Sequence, residues 1–157
     1  MGKKKSECGI SKGGFVKTAI EKRMMSYQTD SFGIVHHARY LEIMEEARWL
    51  YCYENNLMEA FHQKGIIHVL VNINIDYKDS VRFGDMITIE TEVFRITEKS
   101  VTFRQVVSRD EQRLVVAEIT NVFMRKADHS VIKVTELKSF WDDLKRDKNL
   151  LLANLGN

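Results

Sequence analysis

Hydrophobic positions along the chain change their period twice, and the changes divide it into elements. Residues 15–27 are extended in character, with Val16, Thr18, Ile20 and Met24 on one side. A short polar loop follows, YQTDSFGIVHH, and then the spacing turns helical over 38–55. Leu41, Met44, Ala47 and Tyr51 share a stripe there, and Tyr40, Ile43 and Leu50 widen it. So broad an apolar face predicts a helix held closely by other structure. A further helical turn is expected over 58–64, ending at Gly65.

After Gly65 the period becomes two. Ile67, Val69, Val71, Ile73, Ile75 and Tyr77 alternate with His68, Leu70, Asn72, Asn74, Asp76 and Lys78, which predicts a long half-buried strand. Strands are expected over 85–97, 100–109 and 113–126, joined by the hairpin-length segments TEKS and RDEQR. An amphipathic helix over 136–152, carrying Leu137, Phe140, Trp141, Leu144 and Leu151, closes the chain. The order strand, long helix, four strands, terminal helix predicts an α+β antiparallel sheet rather than βαβ winding. One helix covers only one face of such a sheet. The other face and the edge strands call for a second copy of the chain, so a homodimer or homotetramer is expected.

Composition narrows the picture. The 157 residues, 44% hydrophobic and 29% charged, fit one globular domain over 15–157. A net charge of +2, with the basic residues scattered among acids, gives no case for a nucleic-acid partner. No apolar run is long enough for a membrane span, no signal peptide is expected, and two cysteines make no disulfide framework. An intracellular, cytoplasmic protein is the expectation. Residues 1–14 (MGKKKSECGISKGG) read as a flexible basic tail. They also fit the N-myristoylation pattern through Gly2 and Ser6, which matters only in a eukaryotic host; the solvated tail is the reading taken.

The stretch YQTDSFGIVHHARYLEIMEEAR resembles the motif of the 4-hydroxybenzoyl-CoA thioesterase family, whose members have the hot-dog fold. That pattern is an aspartate, Gly-hydrophobic-Val, two aromatic or His positions, then Asn-Tyr and a helix. Asp30, Gly33, Val35, His37 and Tyr40 stand where it wants them, and NINIDYKDSVRFGDMITIETEV looks like the family's following strands. The resemblance spans about residues 15–128 and implies a five-stranded antiparallel sheet around one central helix. Two positions depart from it: Arg39 stands where Asn is common, and Ser31 where some members carry Pro.

By that resemblance the protein is an acyl-CoA thioesterase with no cofactor or metal. A thioester's leaving thiol, with a pKa near ~8.5 if cysteine is the guide, departs without obligatory acid help. One carboxylate and one oxyanion site therefore suffice. The resemblance makes Asp30 the nucleophile or general base and gives the oxyanion to the amide near His37, at the positive end of the long helix. One such donor is worth roughly 3 kcal/mol of barrier. Gly33, Val35 and Tyr40 complete the motif, Lys78 and Arg82 are expected near the coenzyme's phosphates, and the hairpin at Lys99 and Ser100 is placed there by similarity. Arg pairs of some relatives are replaced in that hairpin by Thr97 and Glu98. Glu46, on the helix, is a reserve carboxylate; pairing of Glu45 or Glu46 with Arg39 or Arg48 is its plainer role. Taken without the motif, Asp30 would read as a turn cap. The competing functions are a thioesterase for carrier-protein-bound acyl groups and a non-catalytic acyl-CoA-binding module. A hot-dog dehydratase would carry a His-Phe-Pro-Gly pattern, and this chain has no proline.

Overall fold

Residues 9–10, 15–137 and 139–141 are described by the computed structural model. Helix α1 (His37–Glu54) lies along one face of an antiparallel sheet. The sheet's long strands are β2 (Val16–Arg23), β3 (Ile66–Tyr77), β4 (Met86–Ile96), β5 (Ser100–Arg109) and β6 (Gln112–Arg125). Two short strands join them: β1 (Gly9–Ile10), within the stretch read as a tail, pairs with β2, and β7 (Val131–Ile132) pairs with β6. The order across the sheet is β1-β2-β4-β5-β6-β3. Helix α2 (Leu57–Gln63) follows α1 directly. No helix among the described residues is long and apolar enough to cross a membrane.

Alternation does the positioning. Ile87, Ile89, Thr91 and Val93 on β4, Val101, Phe103, Gln105 and Val107 on β5, and Val115, Ala117, Ile119, Asn121 and Phe123 on β6 are all buried. They are every second residue of their strands and form the sheet face beneath α1. The helix meets them with Tyr40, Ile43, Met44, Ala47, Tyr51 and Cys52. Its buried stripe is rotated from the expected one, since Leu41 and Leu50 stay exposed at 39% and 37%.

Strand β3 corrects the expectation most. Leu70 pairs with Asn121 and Asn72 with Thr120, so Val71 is an extra residue in a β-bulge. The bulge shifts the alternation. His68 and Leu70, not Val69 and Val71, share a side with Ile73. Val69 and Val71 are left 37% and 53% exposed at the sheet's edge. At the chain's end, Val134–Leu137 forms a 3-10 turn and 139–141 a helical turn, with Leu137 and Trp141 buried. The rest of the helix expected over 136–152, including Leu144 and Leu151, lies outside the described residues.

Candidate active site

The loop between β2 and α1 is a tight reversal in which Thr29 pairs with Val35. Asp30 N–H donates to the Ile34 carbonyl at 2.9 Å, and Gly33 N–H to the Asp30 carbonyl at 3.0 Å. Gly33 sits at φ +73°, a region in which a side chain is strained, and this is why glycine stands there. The Asp30 Oδ1 accepts the Phe32 N–H at 2.8 Å. The turn-capping role is therefore real, but it uses one oxygen, and the half-buried carboxylate keeps Oδ2 uncommitted among the described residues. A second segment anchors the loop from below: Val35 N–H donates to the Val81 carbonyl at 2.7 Å, and Ile34 bridges Arg82.

Beside this turn α1 begins. His36 is its N-cap: the ring Nδ1 accepts the Ala38 N–H at 3.2 Å, and the His36 carbonyl accepts the Arg39 N–H at 2.9 Å. The His36 N–H itself donates to the Gln28 carbonyl at 3.0 Å. That leaves the His37 N–H as the first-turn donor with no acceptor among the described residues. The His37 carbonyl receives the Tyr77 hydroxyl at 3.2 Å, tying the end of β3 to the start of α1. The His37 ring is exposed and lies 4.1 Å from the His36 ring. An open amide at the positive end of a helix suits a developing negative charge.

The other expected site residues divide into three groups. Val35 and Tyr40 are each 3% exposed and form the core under the loop rather than a contact surface. Tyr40 meets the Tyr77 ring edge-on at 5.5 Å, and burial pushes its phenol pKa up against a backbone hydrogen bond at Val81. Lys78 and Arg82 are exposed at the same end of the sheet as Asp30. The backbone of Arg82 is fixed by its N–H donating to the Asp85 Oδ2 at 2.9 Å, the oxygen that also takes the Arg109 guanidinium at 2.6 Å. These contacts, the backbone one first, hold the Asp85 carboxyl below its usual range.

Lys99 and Ser100 are not brought to this site. They lie in the turn after β4, at the opposite end of an 11-residue strand from Met86. At ~3.3 Å per residue that is about 33 Å away. The reserve carboxylate is also engaged elsewhere: Glu46 pairs with Lys22 of β2, and Arg39 takes both oxygens of Glu42 at 2.8 Å.

A groove of about 270 Å³, not expected from the sequence, runs between α1 and β3. Leu41, Arg48, Trp49, His68, Leu70 and Asn121 are among its lining residues. Trp49 meets His68 edge-on at 5.2 Å. Arg48 donates to the Gln105 Oε1 at 2.8 Å, while the Gln105 Nε2 donates to the Met44 carbonyl at 2.9 Å and to Thr91 Oγ1 at 2.8 Å. Burial lowers the pKa of Arg48, and burial followed by the Arg48 charge lowers that of His68. The Asn121 Nδ2 is buried and meets no acceptor among the described residues. Periodicity hid these residues. Asn121 is a polar position in an otherwise apolar alternation, and the bulge at Val71 misassigned His68 and Leu70.

Residues 32–116, from the loop through α1 and into β6, match the thioesterase superfamily. The chain belongs to that superfamily. It is a thioester hydrolase, and the matched stretch includes Gly33, Val35, His37 and Tyr40 and begins two residues after Asp30. The long-chain acyl-CoA thioesterase FadM of Escherichia coli strain K12 is 32% identical over 109 residues, which are 69% of this chain and 81% of that protein. The crystal structure of YbaW from Escherichia coli superposes with a TM-score of 0.72 at 30% identity, covering 79% of this chain and 94% of the other. The 4-hydroxybenzoyl-CoA thioesterase complexed with 4-hydroxybenzoyl-CoA gives a TM-score of 0.71 at 21% identity, over 80% and 98% of the two chains, a likeness of fold. The superfamily's hot-dog fold is thus the fold of this chain.

Proposed function

We propose that the protein hydrolyses acyl-CoA thioesters at the junction of the Asp30 loop and the start of α1. The observation that carries this reading is the His37 N–H, without an acceptor among the described residues, on the segment that pairs with the Asp30 turn, whose carboxylate has one oxygen uncommitted among the same residues. The pairing of Thr29 with Val35 and the bond from His36 to Gln28 hold the two segments side by side. In the proposed reaction the thioester oxygen rests on the His37 amide, and its negative charge grows against the helix's positive end. Asp30 Oδ2 then attacks the carbonyl carbon or takes a proton from the attacking water, and the coenzyme thiolate leaves without acid assistance. Val35 and Tyr40 act by fixing the loop and helix from beneath, and Gly33 by permitting the turn. Lys78 and Arg82 supply positive charge at the same end for the coenzyme's phosphates. The likeness to FadM, a long-chain acyl-CoA thioesterase, favours coenzyme A over a carrier protein as the thioester's handle. Cys52, a free thiol buried in the core with its pKa pushed up to about 12, suits a cytoplasmic setting.

The working form in this proposal is a dimer built on β3. That strand ends the sheet, is 12 residues long, and exposes Val69, Leu70 and Val71. Antiparallel pairing with the β3 of a second copy reverses one sheet against the other. It brings the second copy's β4–β5 turn, the Lys99 and Ser100 region, to the end of the sheet that carries Asp30.

Free-thiol release from a panel of acyl-CoAs tests the enzyme. Asp30→Asn should lower turnover by about 10²–10⁴-fold while the folding midpoint stays near the parent's. Full turnover in Asp30→Asn, with loss in Glu46→Gln, would overturn the assignment. Sedimentation equilibrium should give twice the mass of one chain, and Val71→Lys should halve it. A parent protein sedimenting as a monomer refutes the β3 dimer.

A further inference from the structure

The groove between α1 and β3 has a direction and an end. The two elements run against one another: the Tyr77 hydroxyl reaches the His37 carbonyl where α1 starts, and Trp49 meets His68 near the start of β3. Leu41, Leu70 and Ile73 line the groove between those two contacts. An acyl group whose carbonyl rests on the His37 amide therefore has a path along α1 toward Trp49.

The charged residues of the groove are tied along its sides. Arg39 takes both oxygens of Glu42 at 2.8 Å, Arg48 is turned onto the Gln105 Oε1 at 2.8 Å, and the Trp49 Nε1 donates to Glu45 at 3.5 Å. Leu41, Leu70, Ile73 and the indole are left to meet a tail, and an alkyl chain covers apolar surface there without displacing any of these bonds.

The far end is a wall. His68 stands between two rings, Trp49 at 5.2 Å and Phe61 of α2 at 6.3 Å, and Phe61 packs against Phe123 at 5.3 Å. Burial, followed by the Arg48 charge, lowers the His68 pKa, so the imidazole is neutral at pH 7 and sets no charge against a methyl end. Rings continuous with a close-packed aromatic core yield little to a chain that pushes on them. The distance from amide to wall then fixes a length. With a rise of ~1.5 Å per residue, Trp49 stands about 18 Å along the helix axis from His37. An extended chain with bonds of ~1.52 Å and angles of ~111° advances about 1.25 Å per carbon, so about 14 carbons reach the wall.

We propose that Trp49, braced by His68, closes the acyl channel and limits the substrate to unbranched acyl chains of about 14 carbons or fewer. The proposal rests on the thioesterase reading above and deepens it, naming the acyl class and the residue that sets its length. It gives the groove to substrate rather than to a second copy of the chain.

A chain-length series tests it, with hexanoyl-, decanoyl-, tetradecanoyl-, hexadecanoyl- and octadecanoyl-CoA each assayed below its micelle concentration. In the parent enzyme kcat/KM should rise with chain length and then fall beyond tetradecanoyl-CoA, by about tenfold or more at octadecanoyl-CoA, the effect of overfilling a packed site. Trp49→Ala should open the wall and raise the octadecanoyl-to-decanoyl ratio by about tenfold or more, mainly through KM. Leu41→Trp sets an indole across the groove one turn from His37 and should move the maximum down to hexanoyl-CoA. The two substitutions shift the maximum in opposite directions, which a general loss of folding does not do. A series that keeps rising through octadecanoyl-CoA overturns this inference and leaves the thioesterase reading standing. So does a maximum that either variant leaves in place, or a change of sedimenting mass in Trp49→Ala with the maximum unmoved. Failure of the parent to hydrolyse any thioester overturns both readings together.

Discussion

Around the first half of α1 the core is aliphatic, built from Met24, Val35, Ile43, Met44, Ala47, Val81, Ile87 and Ile89 with Tyr40 as its aromatic member. Around the second half it is aromatic, and Tyr51, Phe61, Phe103, Phe123 and Trp141 pack there as neighbours. The pairs Tyr51–Phe103, Phe61–Phe123 and Phe123–Trp141 have ring centroids 5.6, 5.3 and 5.8 Å apart in edge-on or tilted geometry. Between the two clusters sits the polar crossing of Arg48, Gln105, Thr91 and the Met44 carbonyl. The aromatic end interlocks large flat side chains whose geometry is specific, so it fixes how α1 lies on the sheet. The aliphatic end carries the Asp30 loop through backbone hydrogen bonds at Val35 and Gly33, and it keeps open the groups available for chemistry. In the proposed mechanism, anchoring and reactivity thus lie at opposite ends of one helix.

Substitutions at the two ends should separate along the same line. Phe123→Ala removes a ring that touches both Phe61 and Trp141, and should lower stability by about 3–5 kcal/mol. Denaturant unfolding measures that loss, and turnover assayed well below the midpoint should change little. A matching fall in kcat would break the comparison, because it would show the aromatic end shaping the reaction. Gly33→Ala should cost less, about 1–2 kcal/mol, the strain of a side chain at φ +73°. An added Cβ there meets nothing among the described residues within 4 Å, so the cost is conformational and not a clash. Yet this smaller change should lower thioester turnover several-fold, since the same turn orients the Asp30 carboxylate. Unaltered turnover with reduced stability would move Gly33 from the site to the scaffold.

How much was legible from the residues follows the same physics. Local alternation identified β4, β5 and β6, because each has one buried and one more open face and no bulge disturbs β6 against β5 before Val107. The glycine at the turn and the helix start after it were readable too, since both follow from backbone rules acting over a few residues. Three features were not. The extra residue at Val71 depends on how β3 meets β6, a partner some 50 positions away in sequence. The cap at His36 was not foreseen, because a histidine there gives no capping signal as Ser or Asp would, and the His37 amide it leaves open was reached only through the family resemblance. The position of Lys99 and Ser100 follows from strand direction and is invisible to any count along the chain.

The bulge at Val71 has a consequence for anything laid against the sheet's open side. A straight edge accepts a neighbour at many offsets, each two residues from the next. A kinked one accepts only those offsets at which the neighbour yields at the matching place. In the β3 pair proposed above, Val71 therefore works as a notch in a key: it appears twice, and the spacing of the two notches fixes how far one copy slides past the other.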